Sequence, residues 1–189
     1  MLVYWLVPTL IIAVLVILYV YAFRFEPSNF KLSQVDIFLR QLGERSKDRK
    51  GLPYLTILHL SDFHLRKNRK GKKLFKFVQG LADQEVDLIF ITGDLVEQDK
   101  NIPYLVEMLK PLKARYGKFA VLGVHDYYDK KASEFIRNMF KRKRTYKRQN
   151  DIERLIAELG NIGVEVLQNK VVDIDNPYED IRGIQVAGI

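Results

Sequence analysis

Three short polar clusters interrupt the apolar runs of this 189-residue chain, and each joins residue types that ligate metals or move protons. They are Ser61-Asp62-Phe63-His64, Thr92-Gly93-Asp94 and Gly123-Val124-His125-Asp126. Asp62 and His64 stand two apart, so on an extended chain their side chains point the same way and can grip one ion together. Gly93 and Gly123 remove side chains where backbone has to pass close to a ligand. Asp126, beside His125, is placed to orient and polarise that imidazole. The chain has no cysteine and three histidines. Disulfides, zinc fingers and thiol catalysis are thereby excluded. Any metal must sit among oxygen and imidazole donors, a set that suits manganese, iron or zinc better than calcium. His59 lies inside an apolar run and reads as a packed, hydrogen-bonded histidine rather than a ligand.

The elements that must position these clusters follow from hydrophobic patterning. Apolar strands are expected at 54–60, 86–91 and 118–122. Helices are expected at about 74–84, at about 103–115 with an interruption at Pro111, and at about 151–160. Shorter strands follow at 164–167, 171–174 and 184–189. Continuous apolar strands alternating with helices predict an α/β fold with a parallel sheet covered on its faces. Asp62 and Asp94 are 32 positions apart, and Asp94 and His125 are 31 apart. Each interval is about one strand–helix–strand unit. The three clusters are therefore expected at one end of one sheet, the carboxyl end where open α/β sheets place their ligands.

Residues 2–23 carry no charge over 22 positions. As a helix they would be roughly 33 Å long, enough to cross a hydrocarbon core of about 30 Å. Tyr4 and Trp5 at one end, and Tyr19, Tyr21 and Phe23 at the other, stand where interfacial aromatics belong. No basic residue precedes the segment and no small-residue cleavage site follows it, which speaks against a signal peptide. A single transmembrane helix at 2–23 is expected, then a polar juxtamembrane connector at 24–51 and a globular domain from 52 to 189. Arg24, Lys31 and Arg40 follow the span, so the positive-inside rule places the domain in the cytoplasm.

The net charge is +8 and the pI about 9.5. Much of this charge lies in two runs, RKNRKGKK at 66–73 and KRKRTYKR at 141–148, each with six cations in eight positions. Either they are solvated loops, or they form a basic surface held against anionic lipid, where each cation contributes about 1 kcal/mol before screening by salt. The first run leaves the ligand end of the sheet and could also guide an anionic substrate. No nucleic-acid reading motif is present, so nucleic acid is not the expected partner.

The stretches LTILHLSDFHL, VDLIFITGDLVE and YGKFAVLGVHDYY resemble, in order and spacing, the first three blocks of the calcineurin-like metallophosphoesterases. The nearest likeness is to the membrane-anchored bacterial branch of YkuE-like and YaeI-like enzymes. The resemblance runs from about Leu52 to Ile189. It implies a four-layer α/β sandwich, a two-metal site, and hydrolysis of phosphoester or pyrophosphate bonds, in some membrane-associated members those of nucleotide-linked lipids. It assigns Asp62 and His64 to the first metal, Asp94 to a bridge between both metals, and His125, helped by Asp126, to protonation of the leaving group.

Two departures from the family pattern set a further expectation. Val124 stands where the family has an asparagine whose carbonyl binds the second metal. No histidine follows His125, whereas the family supplies three more downstream. The 189-residue chain is thus expected to carry half of the two-metal site, with at most one ion. Its end inside a strand-like run reads as that of an amino-terminal portion. The alternative is a non-catalytic, membrane-anchored basic module that binds anionic lipid or a partner protein.

Overall fold

The structure, a computed structural model, describes residues 2–26, 29–37, 55–128, 149–174 and 184–189. The basic run at 141–148 lies outside these residues. The chain divides into two compact units, Met1–Arg45 and Ser46–Ile189.

In the first unit, α1 (Leu2–Val20) is a 19-residue helix with Pro8 inside it. Proline offers no N–H to the helix. One residue on, the Thr9 hydroxyl donates to the Trp5 carbonyl at 2.6 Å. The helix then widens into a π-helical turn, Tyr21–Phe25, closed by the Glu26 N–H on the Tyr21 carbonyl. The expected α-helix over 2–23 is thus divided at Val20. Among the described residues, no helix is long and apolar enough to cross a membrane. The described apolar side chains of α1 and the π-helical turn are nonetheless exposed, Trp5 at 76% and Leu10 at 67%.

The second unit is α/β. Its parallel sheet joins β1 (Ile57–Ser61), β2 (Leu88–Thr92), β3 (Gly117–Val121) and β4 (Val164–Val166) in chain order. Right-handed crossovers between strands laid down in sequence order gather the connecting helices on one face. Those helices are α2 (Arg69–Gln79), α3 (Ile102–Leu109) and α5 (Ile152–Gly160), and α3 contacts both α2 and α5. A short helix, α4 (Val124–Tyr127), follows β3 directly. Each long helix buries one stripe: Leu74 and Val78 from α2, Leu105, Met108 and Leu109 from α3, Leu155 and Leu159 from α5. Burying each such side chain contributes about 1.5–3 kcal/mol.

The opposite face is covered by an antiparallel pair, β5 (Lys170–Ile174) and β6 (Ile184–Gly188). Leu88 and Phe119 of the sheet pack there with Leu167 and Ile174, and Val172, Ile184 and Val186 close the cluster. Three layers are therefore present among the described residues; the fourth layer of the expected sandwich is not among them. β1 is less covered on this side, and Ile57 stays 46% exposed.

The helix boundaries correct the sequence reading in two places. The helix expected at 74–84 begins at Arg69, because the Asn68 side chain caps it by accepting from the Gly71 N–H at 2.8 Å. That cap draws the basic run into the first turns of α2. The helix expected at 103–115 ends at Leu109, two residues before Pro111, which has no N–H with which to carry the helical ladder on.

Candidate metal centre

The strand register brings the three polar clusters level. Ser61 pairs with Thr92, and Thr92 with Val121, so the residues after each strand emerge side by side. The loops stay paired beyond the sheet. The Asp62 N–H donates to the Gly93 carbonyl at 3.2 Å, His64 N–H to the Asp94 carbonyl at 2.8 Å, and Leu65 N–H to the Leu95 carbonyl at 3.0 Å.

This continuation uses strained backbone. Asp62, His64 and Asp94 have φ of 54°, 43° and 54°, in the left-handed region that non-glycine residues seldom occupy. Strain of this kind clusters at functional sites, where the surrounding structure over-determines it. The glycines answer a different need. A Cβ on Gly123 would lie 2.2 Å from Asp94 Oδ1 and 2.5 Å from Asp94 N. Only a glycine lets the third loop close over the Asp94 carboxylate.

His64, Asp94 and His125 converge. One ligand atom from each lies within 4.8 Å of the other two, a group that could hold a metal ion. His64 Nε2 is 3.7 Å from Asp94 Oδ2, and the two imidazoles meet edge to face with centroids 4.7 Å apart. The other oxygen of Asp94 accepts the His125 backbone N–H at 3.0 Å, which ties the carboxylate to the third loop. An Asp/His/His donor set with mixed oxygen and nitrogen fits manganese, iron or zinc.

Asp62 is outside this trio. Its φ has left the extended region, so the two-residue alternation that would aim it alongside His64 no longer applies. It is exposed, and its carboxylate meets the Ser61 hydroxyl, which also lies 2.7 Å from the Thr92 carbonyl oxygen. Asp126 differs from its expected role as well. Its side chain is fully buried and its hydrogen bonds go to backbone, not to the His125 ring. Oδ1 accepts from Leu95 N (2.7 Å) and Val96 N (3.0 Å), and Oδ2 from Gly123 N (2.9 Å). Burial pushes its carboxyl above the ordinary carboxylate value, against the three N–H groups that pull it down, and the nearby Asp94 charge adds to the rise. Asp126 is thus a clasp between the second and third loops. His59 is hydrogen-bonded as expected, to the Thr92 hydroxyl at 2.6 Å, but it is exposed rather than packed.

One residue beside the centre went unread in the sequence. Glu97 Oε1 is 3.7 Å from His64 Nδ1, and its second oxygen meets the Arg66 guanidinium. The signal was there: Arg66 and Glu97 are 31 positions apart, the interval at which the other cross-loop pairs recur.

Residues 55–185 match the family model described as calcineurin-like phosphoesterase. The chain belongs to that family. It is 33% identical over 160 residues to the uncharacterized metallophosphoesterase YkoQ of Bacillus subtilis, covering 80% of this chain and 51% of the relative. It is 31% identical to the UDP-2,3-diacylglucosamine pyrophosphatase LpxG of Chlamydia muridarum, over 63% of this chain and 35% of that one. It is 27% identical to a transmembrane protein with metallophosphoesterase domain from Danio rerio, over 84% of this chain and 31% of that protein. The chain spans about half the length of the Bacillus relative and about a third of the other two. As a calcineurin-like phosphoesterase it belongs to a metal-dependent family of hydrolases acting on phosphoester bonds.

Proposed function

We propose that this chain carries part of a membrane-attached, metal-dependent phosphoesterase and holds one divalent ion at His64, Asp94 and His125. The observation that carries the reading is their convergence at the carboxyl end of the sheet, within 4.8 Å. A divalent ion there would polarise a phosphoryl oxygen and lower the pKa of a bound water. Asp94, held by the His125 N–H, keeps the donors in place. His125 can serve as the third donor to the ion or, with its ring off the ion and protonated, as the acid that gives its proton to the oxygen leaving phosphorus, so that the departing group exits as an alcohol or phosphate rather than an alkoxide; the two roles exclude each other within one step. Asp62, at the rim, is left to complete the ion's shell or to meet the substrate.

A pyrophosphate or phosphoester on a lipid-linked nucleotide is the proposed substrate class. A relative named for such a pyrophosphatase supports it, as does the cationic start of α2, which leaves the same end of the sheet. Membrane attachment is supported by the charge-free segment 2–23 and by its exposed side chains, since an uncovered apolar helix is unfavourable in water. Deleting residues 1–23 should release the protein from membrane to soluble fractions; retention after a high-salt wash would refute this anchor.

The metal reading is tested by titrating the purified chain with Mn²⁺ and assaying bis(p-nitrophenyl) phosphate. The expected result is one bound ion, lost in Asp94→Ala, with very slow turnover. Val124 brings no donor, and the remaining histidine, His59, is engaged by Thr92. No binding, or binding unchanged in Asp94→Ala, would refute the metal site. Two tightly held ions with robust turnover would refute the half-site reading. One ion with no turnover at all would favour the non-catalytic basic module.

A further inference from the structure

Among the described residues, His64 Nδ1 is the one buried side-chain nitrogen or oxygen with no hydrogen-bond partner. Buried polar groups are nearly always paired, and an orphan calls for an explanation. Glu97 Oε1 stands 3.7 Å from it, somewhat longer than a hydrogen bond. Glu97 is turned toward the ring by the chain around it. Leu65 and Val96 form a parallel bridge and are fully buried, so Arg66 and Glu97 leave it side by side. The Asp126 clasp fixes the Leu95 and Val96 N–H groups immediately before Glu97. Arg66 takes one Glu97 oxygen, which leaves the other facing His64.

The two nitrogens of His64 therefore face different carboxylates. Nε2 looks toward Asp94 and Nδ1 toward Glu97, each at 3.7 Å. Glu97 is on the far side of the ring from the Asp94 trio, so it is not placed to share the same ion. We infer that Glu97 is a positioning residue: it holds the proton of His64 on Nδ1, leaves the Nε2 lone pair free toward Asp94, and is itself held by Arg66. A ligating imidazole whose second nitrogen donates to a carboxylate has its tautomer and ring orientation fixed, and loss of such a partner lowers metal affinity about 10- to 100-fold. This inference rests on the metal site proposed above.

The test separates the two. In the metal-free chain, at a pH where the ring is neutral, long-range ¹H–¹⁵N correlations report which nitrogen of His64 carries the proton. The wild type is expected to show Nδ1–H, and Glu97→Ala to revert to Nε2–H. In parallel, Mn²⁺ titration should show affinity about 10- to 100-fold weaker in Glu97→Ala and an intermediate loss in Glu97→Gln, whose amide oxygen can still accept the proton. Circular dichroism confirms that the variants are folded. An Nδ1–H tautomer that persists in Glu97→Ala would overturn the positioning role whatever the titration gives. So would equal Mn²⁺ affinities in wild type and Glu97→Ala. A wild type that binds no Mn²⁺, with the tautomer still reversed in Glu97→Ala, would remove the metal reading and leave the hold of Glu97 on His64 standing.

Discussion

The two ends of the parallel sheet are built by different rules. At the amino end, Asp87 accepts the Thr56 N–H at 2.9 Å and pairs with Arg115 at 3.5 Å. The neighbouring backbone is paired too, Tyr116 N to the Asp87 carbonyl at 2.8 Å and Arg115 N to the Val86 carbonyl at 3.0 Å. At the carboxyl end, three of the four described non-glycine residues with positive φ stand in two adjacent loops, and the orphaned His64 nitrogen lies among them. The fourth, Asn169, sits in the tight connection before β5. One end satisfies its polar groups and stores little strain. The other keeps donors unspent and holds backbone at about 1–3 kcal/mol per strained residue. That contrast marks the carboxyl end as the working end without reference to any motif.

Glycine substitutions at the two ends should separate the roles most widely. In Gly123→Ala the new methyl would sit 2.2 Å from Asp94 Oδ1 and against the Asp94 backbone, so the third loop has to move off the carboxylate. The expected outcome is a loss of about 100-fold or more in Mn²⁺ affinity, with about 1–3 kcal/mol of stability lost to overpacking. Gly163 lies before β4 at the amino end, with φ of 74° and Lys118 Cε 3.8 Å from the would-be Cβ. Gly163→Ala should cost about 1–2 kcal/mol through its left-handed backbone and leave metal affinity unchanged. Calorimetric titration and urea unfolding on both variants would check this. Equal metal losses would mean that the two ends are not functionally distinct.

The buried aspartates offer a second, smaller contrast. An asparagine at 126 can keep an oxygen toward Leu95 and Val96, but it then sets an amide N–H against the Gly123 N–H. Asp126→Asn should destabilise by about 1–3 kcal/mol, the range for a buried donor left without an acceptor. Asp87→Asn keeps an acceptor for Thr56 and weakens one ion pair whose arginine is 64% exposed, which is worth at most about 1 kcal/mol. A larger loss at Asp87 than at Asp126 in urea unfolding would reverse this ordering.

The sheet was legible because its strands are continuous apolar runs, and parallel pairing carries a fixed spacing into the loops. The 31- and 32-residue intervals between polar clusters state the register of β1, β2 and β3 almost directly. Side-chain direction was not legible. Period-two alternation aims Asp62 and His64 together only while φ stays negative, and nothing in Asp-Phe-His announces a left-handed turn at both. Asp126 misled for a related reason: adjacency to His125 in sequence says little once α4 turns the two side chains apart. Its bonds run to backbone of another loop, and backbone carries no sequence signal. Glu97 was missed because a lone acid after a strand is ordinary until the register sets it beside Arg66 and His64. The start of α2 was hidden by charge, since six cations in eight positions look like a loop until Asn68 is read as a cap.

Lys118 tests the quieter end through the pH dependence of its contribution. Its ammonium donates to the Ile162 carbonyl at 2.5 Å and the Leu112 carbonyl at 3.3 Å, joining the chain after α5 to the chain after α3. Burial holds its pKa below the ordinary value of 10.5. The unfolded chain therefore keeps this proton at pH values where the folded chain has begun to release it. Stability rises with pH wherever the unfolded state binds more protons, so this lysine favours folding increasingly as pH climbs from its lowered value toward 10.5. At acidic pH both states are charged and its contribution is flat. Lys118→Met removes the titration and leaves two carbonyls without their donor, for a loss of about 1–3 kcal/mol at neutral pH. The gap between wild type and variant, measured by urea unfolding across an alkaline series, should widen as pH rises. A gap that narrows would mean that the charged form is the one the fold prefers, and that the amino end also holds an unspent charge.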